Sequence, residues 1–220
     1  MRRGLFITAE GGDGSGKSTQ LETIRKYMEE RGIPCVFTRE PGGTPIGEKI
    51  REIILDPGNS EMCGWTEALL YAASRAQHVS QLVRPALEEG KCVICDRFVD
   101  SSIAYQGFAR GLGEAVAEVN GHAVQGVMPD RTFFFDVSPE KAMKRLGSRG
   151  SKDRLEVEPD EFHRRVYEGY RELARRDAES GNGRFVVIDA SKDIESVTNQ
   201  VIEALDALFA ERAGTDGKEE

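Results

Sequence analysis

Short apolar runs alternate along this chain with longer segments whose apolar residues recur at helical spacing. Leu5-Phe6-Ile7-Thr8-Ala9 reads as a first strand and is followed by a Gly-rich turn. Ser18 to Arg31 then carries Leu21, Ile24, Tyr27 and Met28 at helical spacing and stops at Gly32. Pro34–Thr38, Cys92–Cys95, Thr132–Asp136 and Phe185–Ile188 read as four further strands. The pattern predicts helices at about 46–55, 65–88, 113–126, 139–146, 159–179 and 193–211. Strands separated by helices form parallel sheets covered on both faces, and nearly continuous apolar strands suit burial on both sides. The expectation is therefore an α/β fold with a five-stranded parallel sheet, one domain over 1–211 and a disordered tail over 212–220.

Composition narrows the class. Of 220 residues, 39% are hydrophobic and 31% charged, which fits a globular chain. No apolar run approaches the length of a membrane span. The first apolar run is too short for a signal-peptide core, so a cytosolic location is expected, with no membrane partner. A net charge of −8 argues against a general nucleic-acid binder, although 30 basic residues leave room for a local cationic pocket. Four cysteines are present, and Cys92-Val93-Ile94-Cys95 has CxxC spacing. Within a strand, residues three apart point to opposite faces, so the pair is expected as buried free thiols rather than a metal or redox site. His78, His122 and His163 are scattered and expected to be surface or half-buried.

Gly11-Gly12-Asp13-Gly14-Ser15-Gly16-Lys17-Ser18 matches the pattern GxxxxGK followed by Ser or Thr. Glycines let the backbone curl so that successive N–H groups point at phosphate oxygens, and the helix that starts here adds its dipole. In this pattern Lys17 reaches the β- and γ-phosphates of ATP and the Ser18 hydroxyl ligates Mg²⁺. The motif follows the first strand and opens the first helix, as its mechanism requires. GTPase switches usually read guanine with Asn-Lys-x-Asp, which this sequence lacks, and the chain is short for a motor ATPase. A P-loop nucleotide-kinase fold is the expectation. Asp96-Arg97 ends the third strand, on the sheet edge where open parallel sheets bind ligands. A carboxylate there can hold Mg²⁺, and an adjacent Arg can clamp two phosphates.

Gly11 to Thr19, Arg39-Glu40-Pro41-Gly42-Gly43-Thr44, Tyr71-Ala72-Ala73-Ser74-Arg75 and the stretch from Asp96 to Gly107 resemble bacterial thymidylate kinases in content, order and spacing. The resemblance runs from about residue 4 to 210. It implies transfer of the ATP γ-phosphoryl group to dTMP, with a homodimeric enzyme. Arg97 and Arg51 are implied at the acceptor phosphate, and Asp13 near the sugar 3′ hydroxyl or the metal. Tyr71 and Arg75, four apart on one helix, are implied to stack on thymine and bond its O4. Ser102 and Gln106 are implied to read N3–H and O4, with the Gln106 amide donating. Tyr105 is implied near the sugar C2′, and Glu40 stands on the same binding edge.

Gly147-Ser148-Arg149-Gly150-Ser151-Lys152-Asp153-Arg154 is a cationic segment between two helices, expected as a mobile lid over about 147–156. One branch of the family has an Arg inside the P-loop just after the acid, where this chain has Gly14. That difference implies that the lid supplies the cations, with Arg149 and Arg154 as candidates. A kinase for another nucleoside monophosphate, or a P-loop regulatory protein with little chemistry, are the alternatives.

Overall fold

The computed structural model describes residues 3–146 and 153–216. Strands β1 (Phe6–Glu10), β2 (Cys35–Arg39), β3 (Cys92–Asp96), β4 (Arg131–Asp136) and β5 (Phe185–Asp189) form one sheet. Their order is β2-β3-β1-β4-β5 and every neighbouring pair is parallel, as expected. Successive residues bury on opposite faces. Ile7, Ile94, Phe133 and Phe135 pack beneath Ile24, Met28, Val201 and Leu205. Phe6, Val93 and Cys95 join a second core, and Phe134 a third. Both faces are covered, which is why the strands read as unbroken apolar runs. Cys92 and Cys95 accordingly fall in different cores, and all four cysteines are free.

Helices α1 (Lys17–Glu30), α2 (Pro45–Leu55) and α3 (Gly64–His78) lie near the expected bounds. The single helix expected over 65–88 is interrupted. After α3 comes a π-helical turn, Val79–Val83, and then α4 (Arg84–Glu88). Pro85 lacks an N–H and crowds the preceding turn, and the wider π spacing just before it accommodates that. A short α5 (Val99–Ser102) leads into a second π turn, Ile103–Ala109, and then to α6 (Ala115–Ala123). The chain closes with α7 (Pro139–Leu146), α8 (Asp160–Ser180) and α9 (Ile194–Asp216), the last running past the expected 211. Gly169 lets α8 approach the second π turn closely. A Cβ there would lie 3.0 Å from Phe108 Cβ and 3.1 Å from Ala104 Cα. Among the described residues no helix is long and apolar enough to cross a membrane.

Candidate active site

The loop between β1 and α1 curls through three glycines in conformations that side chains rarely adopt: Gly11 (φ 139°), Gly14 (φ 78°) and Gly16 (φ 94°). Gly16 precedes α1 and no side chain caps that helix, which leaves its first-turn N–H groups to a ligand. Lys17 is buried and donates to Gly11 O at 2.9 Å and Gly12 O at 3.0 Å. Burial, helped by the Arg97 charge, pushes its pKa down to about 8. Ser18 and Thr19 are exposed at the start of the helix.

At the end of β3, Asp96 Oδ1 is buried with no hydrogen-bond partner. Arg97 follows with φ 67°, a left-handed conformation rare outside glycine. Its guanidinium reaches Asp13 Oδ1 at 2.6 Å and Gly11 O at 2.8 Å, so it ties β3 to the phosphate loop. Burial raises the Asp13 pKa, but the charges of Arg97 and Lys17 outweigh it and hold the carboxyl below its ordinary value. Glu10, at the end of β1, is fully buried beneath this junction. It accepts from Phe98 N at 2.7 Å, Ser101 Oγ at 2.6 Å and Tyr170 OH at 2.9 Å. The bond to Phe98 N fixes the backbone just after Arg97, and Tyr170 brings α8 into the same cluster. Burial, and then the Asp100 charge, push the Glu10 carboxyl up to about 7.

The second half of the site lies beyond β2. Glu40 is buried, with His78 Nδ1 2.8 Å from Oε1 and Arg75 Nη2 2.8 Å from Oε2. Arg75 is wholly buried and also donates to Ser102 Oγ, Asn120 Oδ1 and Phe98 O. Its Nε has no partner. Gln106 Nε2 donates to Glu67 Oε1 at 2.8 Å, and Gln106 Oε1 is buried without a partner. Arg51 donates to Pro41 O at 3.0 Å, and the Arg97 guanidinium lies 5.3 Å from the centre of the Tyr105 ring.

A cleft of about 650 Å³ joins the two halves. Asp13, Lys17, Ser18, Glu40, Arg51, Tyr71, Arg75, Asp96, Arg97, Tyr105 and Gln106 all line it. Four expectations change. Ser102 sits behind Arg75 and does not line the cleft, whereas Ser101 does. One Gln106 N–H is committed to Glu67, and the carbonyl oxygen, rather than the amide nitrogen, is the Gln106 atom left without a partner. Arg154 is buried against Glu67 Oε2 at 2.6 Å and Ile54 O at 2.8 Å and does not line the cleft, whereas Arg145 and Lys192 do. His78 is a fully buried partner of Glu40 rather than a surface residue. Residues 147–152, including Arg149, fall outside the described residues.

Sequence reasoning missed Glu10, Glu67, His78, Asn120, Ser101, Arg145 and Tyr170. Two signals were present. Glu67, Tyr71, Arg75 and His78 follow helical spacing along a single stripe of α3. Glu10 was also an ionisable group at the end of an otherwise apolar strand.

A parallel sheet in this order, with a phosphate loop after β1 and room for a second ligand beyond β2 and β3, defines a P-loop nucleotide kinase. Comparison with known proteins narrows that class. The sequence profile of the family described as Thymidylate kinase matches residues 9–201. The thymidylate kinase of Finegoldia magna is 51% identical over 202 residues, covering 91% of this chain and 97% of that protein. Those of Symbiobacterium thermophilum and Bacillus velezensis are each 48% identical, covering 96% and 92% of this chain and 98% and 95% of their own lengths. The chain belongs to the thymidylate kinase family.

Glu10 makes folding stability depend on pH. The folded chain holds this proton up to about pH 7, against 4.5 for an ordinary glutamate. Between those values the folded state binds more protons, so the group's contribution is greatest below 4.5 and falls as pH rises to 7. The melting temperature of the parent, relative to that of Glu10→Gln, should therefore fall across this window. A difference that stays flat would show that Glu10 titrates normally.

Proposed function

We propose that the chain transfers the γ-phosphoryl group of ATP to dTMP, giving ADP and dTDP. The observation that carries this reading is the pair of unpartnered atoms on cleft-lining residues, Arg75 Nε and Gln106 Oε1. Thymine offers an acceptor at O4 and a donor at N3, which complements one donor and one acceptor. Cytosine offers the reverse at both positions. Tyr71, on the same stripe of α3 as Arg75, supplies a ring to stack on the base. Tyr105 crowds the sugar at C2′ and disfavours a ribose hydroxyl.

An acceptor-phosphate oxygen forms a new bond to the γ-phosphorus while the bond from that phosphorus to the β–γ bridging oxygen breaks, releasing ADP. The acceptor phosphate is already anionic at neutral pH, so no general base is needed. Lys17 and Arg97 now donate to loop carbonyls, bonds that phosphate oxygens can replace. Arg97 links the acceptor side to the phosphate loop and is placed to neutralise charge as it moves between the two nucleotides. Arg51 holds the acceptor phosphate, and Asp13 faces the sugar 3′ hydroxyl or the metal.

The residues present fit a magnesium ion. Asp96 Oδ1 is unpartnered, and the Ser18 hydroxyl stands exposed at the start of α1. Among the described residues no cluster of three or more His, Cys, Asp or Glu could hold a metal, which suits Mg²⁺ held through one carboxylate and substrate phosphates. When bound, the ion neutralises and orients the phosphates. A homodimer is proposed on the family resemblance. Large apolar side chains exposed on α2 and α3, namely Ile46, Ile53, Trp65 and Leu69, offer an interface. Light scattering on the purified chain should give twice the chain mass, and a monomer mass would refute it.

The base reading is tested by kcat/KM for ADP release with a panel of monophosphates. Rejection of dCMP relative to dTMP should reach about 10⁴–10⁵, because buried polar groups would face like against like. The lost methyl of dUMP should cost only about 10–200-fold. Gln106→Leu should raise the KM for dTMP about tenfold or more, with the KM for ATP little changed. A preference for dCMP or UMP would refute the thymine reading.

A further inference from the structure

We propose that Glu67 is a positioning residue that sets which end of the Gln106 amide faces the nucleotide base. The nitrogen and oxygen ends of a carboxamide have nearly the same shape, and only their hydrogen bonds tell them apart. Glu67 is fully buried on α3, one turn before Tyr71. A carboxylate only accepts, so the end of Gln106 that meets it must be the NH₂ group. The carbonyl oxygen is thereby left for the base. Turning the amide over would set its oxygen against the Glu67 carboxylate in a buried site.

Glu67 is itself tightly held. Oε1 accepts Gln106 Nε2 at 2.8 Å and Arg110 Nε at 3.3 Å. Oε2 accepts Arg110 Nη2 at 3.0 Å and Arg154 Nη2 at 2.6 Å. Burial raises the pKa of the carboxyl, but the hydrogen bonds from Arg110 and Gln106 outweigh it and keep the group below the ordinary carboxylate value. It therefore stays an acceptor at neutral pH. The two guanidinium groups on Oε2 also decide what an amide would do in its place. In Glu67→Gln they hold the carbonyl oxygen at the Oε2 position, which puts the new NH₂ opposite Gln106. Donor then meets donor until Gln106 turns over and presents its own NH₂ to the base.

The inference rests on Gln106 reading the base. If Gln106→Leu leaves the KM for dTMP unchanged, that reading fails, whatever Glu67 does. With Gln106 established, Glu67→Gln should raise the KM for dTMP about tenfold or more. It should also lower the dTMP-to-dCMP ratio of kcat/KM by about the same factor, because a turned amide donates to the cytosine N3 lone pair. The KM for ATP should stay near the parent value, which a general loss of structure would not allow. The swap Glu67→Gln with Gln106→Glu keeps the charge of the cluster and restores an acceptor toward N3–H. It should recover both the dTMP KM and the dTMP-to-dCMP ratio toward parent values. A folded Glu67→Gln enzyme with the parental ratio would overturn the proposal. So would a swap that fails to fold, or one whose dTMP KM is as poor as that of Gln106→Leu.

Discussion

Arg75 and Glu40 lie 2.8 Å apart at the end of β2, both shielded from solvent. Removing one partner of such a pair strands a buried charge, at a cost of about 3–5 kcal/mol. The pair persists because most of its remaining atoms are also satisfied. His78 takes the second oxygen of Glu40, while Ser102, Asn120 and the Phe98 carbonyl take the donors of Arg75. This bonding joins β2, α3, α5 and α6 around one guanidinium. It also leaves Nε as the Arg75 donor without a partner, so the requirement that buried charge be compensated determines what the cleft can recognise.

The same requirement recurs at two other buried carboxylates. Glu10 gathers Phe98 N, Ser101 and Tyr170, and in doing so holds the left-handed turn at Arg97. A non-glycine residue in that conformation costs on the order of 1–3 kcal/mol and persists only when its surroundings enforce it. Glu67 gathers Arg110, Arg154 and Gln106. Each carboxylate sits on or just after a regular element and fixes a side chain that lines the cleft. The bonds of Lys17 and Arg97 to loop carbonyls differ in kind, because an anion can take them over.

The sheet was legible because doubly buried strands leave unbroken apolar runs, and the phosphate loop because its glycines and lysine have a mechanism. Arg75, Arg97 and Tyr71, expected from strand ends, helical spacing and family resemblance, all line the cleft. Ser102 rested on the resemblance, and the serine that lines the cleft is its neighbour Ser101: the chain enters a π turn at Ile103, where residues five apart align, as Ser101 and Gln106 do. Arg154 looked like a lid cation because its partner is 87 positions away and no local pattern reveals a buried Glu67. The orientation of the Gln106 amide was equally hidden, since it depends on that same distant carboxylate. Hydrophobic periodicity records which face is buried. It does not record which buried charge will meet which.

A crystal structure with dTMP bound would test the central claim, that buried carboxylates preset the donor and acceptor that read the base. Gln106 should keep its nitrogen on Glu67 and place its oxygen within hydrogen-bond distance of N3. O4 should face Arg75, and the Tyr71 ring should lie against the base. A base whose O4 accepts from Gln106, or a Gln106 that has left Glu67 to bind it, would contradict the account.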